Sequence, residues 1–235
     1  MKSYKQDVEE KLYSRKEMLK ITGKSIAGVA LATTLPTLLT GCAEKKAELP
    51  SKEVLNYEYK EASTDAAPHP YEYQKLDAAT AMERGHASYY NIGNCCRGVA
   101  DAIIGELADN TGYPFNQIPI DMFANGGGGY GAGTLCGALG GAVAAIGLVC
   151  EPEDAQEITK ELFAWYTSTE LPTYQPDIQF DKSVSPSVNC VDSVSEFMNV
   201  SGYAHGDPER KERCACITGE VAGKTVELLN KHFGL

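Results

Sequence analysis

The sequence predicts a mainly α fold, a compact single-domain helical bundle with a central glycine-rich buried helix and irregular connecting loops. Three observations predict it. Apolar residues recur at helical spacing in one segment after another. No stretch alternates apolar and polar residues long enough to make a strand. One segment, from about Gly133 to Val149, is apolar on nearly every side and therefore belongs at the centre of the bundle.

The elements follow in order. Leu76, Ala79, Met82, Ala87 and Tyr90 predict a helix over about 75–90. Val99, Ile103 and Leu107, four residues apart, predict a second from Cys95 to about Asn110, stopped by Gly112 and Pro114. A short helical piece is expected over 119–124. The run Gly126-Gly127-Gly128-Gly129-Tyr130-Gly131-Ala132-Gly133 then leads into the apolar helix. Glycine this dense costs backbone entropy, so the chain needs positive φ or very close neighbours there. Gly133, Gly137, Gly141 and Ala145 share one face on which another backbone can rest. An amphipathic helix is expected over 153–168, an irregular passage across Pro172, Pro176 and Pro186, and a helix over 190–200. After a loop at 202–208, the last helix spans 209–232, with Ile217, Val221, Thr225 and Leu228 inward.

Residues 1–41 read as a signal peptide. Ser14-Arg15-Lys16-Glu17-Met18-Leu19-Lys20 is a twin-arginine-like element with lysine in the second place, and an apolar stretch from Ile26 to Leu39 follows. That stretch is short for a membrane span. Leu39-Thr40-Gly41-Cys42 looks like a lipoprotein cleavage site, implying acylation of Cys42 and export to the bacterial cell envelope. A general secretory lipoprotein is the competing route, and a frayed N-terminal helix with a chance LTGC the plainer alternative. Residues 42–70, polar and carrying Pro50, Pro68 and Pro70, read as a flexible linker, and 71–235 as the helical domain. Cleavage before Cys42 leaves 14 basic and 28 acidic residues, a net charge of −14. Such a surface excludes nucleic acid and polybasic membrane contact, and suits either solubility or a cationic partner.

Seven cysteines remain after Cys42: Cys95, Cys96, Cys136, Cys150, Cys190, Cys214 and Cys216. An odd number fits a fully paired disulfide framework poorly. Cys95 and Cys96 open one predicted helix, Cys136 another and Cys190 a third, where amide donors favour thiolate over thiol. Three helix starts presenting sulfur point to one metal or anionic centre, since four thiolates hold an iron–sulfur cluster or a zinc ion. Against this stands a core in which cysteines fill gaps beside glycines. There is no CxxC pair, and no CxxCH to attach haem.

The pattern resembles a known family. Asn94-Cys95-Cys96, Gly112-Tyr113-Pro114-Phe115-Asn116-Gln117-Ile118-Pro119, Gly133-Thr134-Leu135-Cys136-Gly137-Ala138-Leu139-Gly140-Gly141-Ala142, and Glu212-Arg213-Cys214 leading into Thr218-Gly219-Glu220-Val221-Ala222 resemble the C-GCAxxG-C-C family of redox-active proteins, and within it the split-Soret cytochrome c branch. The resemblance covers roughly 75–235. It implies a helical, often dimeric redox protein with an iron–sulfur cluster, and for the cytochrome branch also haem, which no CxxCH supports here. It implies metal ligation by Cys95, Cys136, Cys190 and Cys214, with Cys96 as the alternative to Cys95 in the cofactor site. Cys150 and Cys216 fall outside the pattern as auxiliary ligands, a disulfide pair or bystanders.

The remaining candidates are weaker. His86 and His205 are each either a surface or hydrogen-bonded histidine or an iron ligand, while His69 and His232 lie in the linker and at the terminus. The glycine loop lacks the lysine and the preceding strand of a phosphate cradle. Asp101, Glu106 and Asp109 read as a solvated acidic face. Tyr89, Tyr90, Tyr130 and Trp165 either wall a cofactor or pack the core. The expected function is an exported, membrane-anchored electron-transfer protein, with a redox partner of unknown identity and homodimerisation as a possibility. The alternatives are a thiol–disulfide enzyme or sensor and a non-catalytic binding lipoprotein.

Overall fold

A computed structural model describes residues 66–235, which belong to one compact unit. The expected signal peptide, Cys42 and the linker as far as residue 65 lie outside the described residues. Among the described residues α1 is Ala78–Ser88, α2 Cys95–Ala100, α3 Glu106–Thr111, α4 Gly137–Val149, α5 Pro152–Ser168, α6 Cys190–Ser201 and α7 Pro208–Phe233. Each expected helix is present.

The boundaries show local chemistry at work. α1 starts at Ala78 because Asp77 caps it: its carboxylate accepts from the Thr80 amide at 2.8 Å and the Thr80 hydroxyl at 2.9 Å. α2 and α3 are one helical rod interrupted by a π turn over Asp101–Gly105, and Gly112 at φ 73° ends it. α5 and α7 both start on a proline, whose fixed φ suits the first helical turn.

The largest departure is at the glycine run. The helix expected from Gly133 starts only at Gly137. Gly128, Gly129, Tyr130 and Gly131 all have positive φ, a left-handed turn that needs glycine at nearly every step. Thr134 to Cys136 are extended instead, and Leu135 forms an isolated antiparallel bridge with Asn189. A second such bridge joins Leu171 and Ser183 across the proline-rich passage.

The core is built on two close helix crossings. At the first, a Cβ on Gly219 of α7 would stand 2.5 Å from the Met82 carbonyl oxygen of α1, and one on Gly85 only 3.1 Å from Gly219 Cα. At the second, a Cβ on Gly141 of α4 would overlap the Cys96 carbonyl oxygen of α2. Side chains cannot intervene at either place, so the backbones touch. Val99, Ile103, Leu107, Leu139, Ile146, Val221 and Leu229 are sealed between these pairs. Ile217, Val221, Thr225 and Leu228 face inward as their spacing predicts. The acidic face beside the first cysteines is only partly solvated. Asp101 takes two bonds from Arg84, 2.9 and 3.0 Å long, and one of 2.7 Å from Ser88, while Asp109 is the exposed member.

Candidate metal centre

Cys95, Cys136, Cys190 and Cys214 line one cavity of about 20 Å³, together with Ser193, Val194, Arg213 and Ile217. Each cysteine arrives on a different element. Cys95 opens α2 behind Asn94, whose side-chain oxygen caps the helix by accepting from the Cys96 and Arg97 amides. The Asn94 amide group donates to the Ala124 carbonyl at 2.8 Å, fixing α2 to the segment before the glycine run. Cys136 is the N-cap residue of α4. Cys190 is the first residue of α6, and a two-rung clasp joins it to Cys136: the Cys136 amide donates to the Val188 carbonyl at 2.8 Å, and the Cys190 amide to that of Thr134 at 2.6 Å. Cys214 comes from the second turn of α7.

The glycines make the room. A Cβ on Gly137 would lie 2.5 Å from Cys95 Sγ, and one on Gly129 2.9 Å from Cys190 Cβ. Cys96 points elsewhere. Its sulfur lies against Gly126 and shares a hydrogen bond with Tyr130, whose ring covers Gly140. The structure therefore brings Cys95 to the cavity and leaves Cys96 outside it. Tyr89 stands near Cys214 and Cys95, and their charges add to the effect of burial in raising its phenol pKa. Trp165 packs on the core and does not line the cavity. His205 is exposed, with its carbonyl accepting from Arg210.

The electrostatics reverse one expectation. The Ala138 and Leu139 amides do bond Cys136 and favour its thiolate, as a helix start should. Burial is the larger effect, and the Cys136 pKa ends up raised. Burial and the other three sulfurs push the Cys95 thiol far up, and burial with Cys136 and Cys214 pushes Cys190 up to about 12. Burial likewise pushes Cys96 and Cys150 up to about 11. All seven cysteines here are free thiols. A thiol–disulfide enzyme needs an exposed sulfur of lowered pKa, and burial raises Cys95, Cys96, Cys136, Cys150, Cys190 and Cys216 instead.

Sequence reasoning passed over Arg213. This side chain is 2% exposed, yet no ion pair among the described residues involves it. Its Nη2 donates to Ser193 Oγ at 2.8 Å, its guanidinium lies 5.5 Å from the centre of the Phe197 ring, and its Nε has no partner. Ser193 Oγ is in turn 2.7 Å from the hydroxyl of buried Tyr166, which bonds Cys136. Burial disfavours the charge, and Tyr166 with the Cys214 and Cys136 sulfurs more than offsets that. The signal was available: Arg213 extends the inward stripe of Ile217 and Val221 by one turn.

The sulfurs are also spread out. Among the described residues, only His86, Glu212 and Cys216 bring three metal-ligating atoms within 4.8 Å of one another. Four thiolates on a single ion, with bonds of about 2.3 Å, would sit about 3.8 Å apart. No three of the four cavity sulfurs reach that spacing, so a tetrahedral single-ion site is not preformed there.

The family model for "Putative redox-active protein (C_GCAxxG_C_C)" matches residues 94–228. The chain belongs to the C_GCAxxG_C_C family. A curated relative, the split-Soret cytochrome c of Desulfovibrio desulfuricans (strain ATCC 27774 / DSM 6949 / MB), is 34% identical over 165 residues, 66% of this chain. The match spans 59% of that relative's own length. A solved structure of split-Soret cytochrome c from the same species, described as holding a novel iron centre, aligns with TM-score 0.68 and 31% identity. That alignment covers 70% of this chain and 72% of the other. Family membership makes this a redox-active type of chain with the mainly helical fold of the split-Soret cytochrome.

Proposed function

We propose that the cavity of Cys95, Cys136, Cys190 and Cys214 holds an iron–sulfur cluster, and that the protein is an exported, membrane-anchored electron carrier. The observation that carries this reading is Arg213. An arginine buried without a carboxylate loses several kcal/mol of hydration, and a nearby negative charge must compensate. Thiolates around iron supply such a charge, and the orphaned Nε fits a site whose counter-charge is a bound centre. Bound there, the cluster would supply one-electron chemistry, its potential tuned by hydrogen bonds to sulfur and by burial.

The chain's own residues would do the rest. The four cysteines would ligate, losing their protons as metal binds. Arg213 would offset negative charge from one side, and Arg210, whose Nη1 lies 3.8 Å from Cys214 Sγ, from another. The Ala138 and Leu139 amides would hold Cys136 in place. Anchoring through an acylated Cys42 rests on the LTGC site and the basic–apolar pattern before it; among the described residues no helix is long and apolar enough to cross a membrane. The acidic surface favours a cationic redox partner.

Anaerobic purification with iron, sulfide and haem analysis tests the reading. Brown protein with iron and acid-labile sulfide in equal amounts, lost in Cys136→Ser, is expected. Colourless, iron-free protein overturns it, and haem iron without sulfide would point instead to a cytochrome. Labelled palmitate retained by the wild type and not by Cys42→Ala checks the anchor.

A further inference from the structure

We propose a second metal site, for a single divalent ion of the zinc type, at His86, Glu212 and Cys216. The three side chains come from α1 and α7, are buried, and are 9%, 4% and 0% exposed. His86 Nε2 lies 2.7 Å from Glu212 Oε1, the Cys216 thiol donates to the same oxygen at 3.3 Å, and all three ligand atoms lie within 4.8 Å of one another. Imidazole nitrogen, carboxylate oxygen and thiolate sulfur form a donor set that zinc takes at about 2.0–2.3 Å, with a fourth position left for water. Ligands on one tetrahedral ion stand less than 4 Å apart, so the protein already holds these atoms near the required separation.

The surroundings suit an ion. The second oxygen of Glu212 accepts from the Tyr90 hydroxyl at 2.5 Å, the outer bond that orients a ligating carboxylate. Tyr90 and Tyr174 stand edge-on to the His86 ring and hold its orientation. One turn beyond Cys216, Glu220 is 3% exposed and its Oε2 has no hydrogen-bond partner. Its other oxygen is fully used by the Thr173 amide and hydroxyl and the Tyr174 amide. A buried carboxylate oxygen left bare adds negative potential on the helix face that carries Glu212 and Cys216, which a cation relieves.

This site is separate from the four-cysteine cavity. Glu212, Cys216 and Glu220 are spaced four residues apart on one face of α7, while Arg213, Cys214 and Ile217 line the cavity on the neighbouring face. Tyr90 is half-exposed and offers the ion a way in. Binding would displace both hydrogens directed at Glu212 Oε1: the Cys216 thiol proton would leave to solvent, and the one shared by His86 Nε2 and Glu212 would move to His86 Nδ1, freeing Nε2 for the ion.

The test uses the full chain with zinc as probe, counting bound metal after dialysis. One zinc per chain is expected in Cys136→Ser, which disables only the other cavity, and at least one in wild type. His86→Gln and Cys216→Ser should each weaken zinc at least tenfold, and Tyr90→Phe by about 10- to 100-fold through the carboxylate. Cobalt bound to Cys136→Ser should show the charge-transfer band of one thiolate. Cys216→Ser and Tyr90→Phe preserve shape, so they carry the test if His86→Gln unfolds. Absence of zinc from wild type overturns the site, as does zinc that ignores Cys216→Ser and Tyr90→Phe or disappears with Cys136→Ser.

Discussion

Arg213 and Asp101 show how much a single side chain depends on what faces it. Asp101 is held by Arg84 and Ser88. Burial alone would raise its pKa, and those bonds more than reverse the effect, leaving it below the usual carboxylate value. A lowered folded-state pKa means stability that is present above the unfolded pKa and lost as pH falls through the folded one. Asp101→Asn should therefore cost about 1–3 kcal/mol at pH 7. The gap to wild type should close in acid denaturation curves below about pH 4. Arg213 faces sulfur instead of carboxylate. Arg213→Met keeps the volume and removes the charge, a change that buried ion sites tolerate when an apolar side chain replaces them. Folding should persist while the potential of the bound centre falls by roughly 60 mV, a tenfold shift in a one-electron equilibrium. An unchanged potential in redox titration would mean the guanidinium does not act on the centre.

Within α4 the same residue type does opposite work at two places. A Cβ on Gly141 meets the backbone of α2, whereas one on Gly147 meets nothing within 4 Å. Gly141→Ala should destabilise by about 1–3 kcal/mol, because a carbonyl cannot move aside as a flexible side chain can. The helix-propensity gain of about 1 kcal/mol is too small to offset that. Gly147→Ala should stabilise by about 0.5–1 kcal/mol. Urea unfolding of the two variants checks the opposite signs. The clasp between 134–136 and 188–190 acts at the same scale. It ties the starts of α4 and α6 together and so sets Cys136 beside Cys190.

Over the whole molecule, the four cavity cysteines bring together α2, α4, α6 and α7. Metal bound by all four would cross-link these elements and favour the folded state through linkage. Stripping the metal with a chelator should lower Tm by about 5–10 °C. Hydrogen exchange should rise first in α6, which joins the rest mainly through its first turn and Phe197. The thiols outside the cavity behave differently. With pKa values near 11, Cys96 and Cys150 should alkylate at pH 8 about 100-fold more slowly than an unstructured cysteine. Rates matching free cysteine would revive the thiol–disulfide alternative.

Local rules sufficed for much of this. Among the described residues, periodicity located the longer helices, because a buried stripe must recur every three to four residues, and the inward line of Ile217, Val221, Thr225 and Leu228 was readable from spacing alone. The motif cysteines and the family they signal were readable too, since Cys136 keeps its glycines on either side. Other features depended on residues far apart in sequence. The start of α4 moved from Gly133 to Gly137 because 134–136 pair with a segment more than fifty residues away. The resemblance favours Cys95 over its neighbour Cys96 only through the preceding Asn94, and it is the packing of α2 against Gly126 and Gly137 that turns Cys95 toward the cavity and Cys96 away. His86 looked like one more hydrogen-bonded histidine until α1 was laid on α7 beside Glu212 and Cys216. Spacing along a chain fixes which face of a helix is buried, whereas what that face meets depends on how helices cross, and the glycines at 85, 141 and 219 set those crossings in three dimensions.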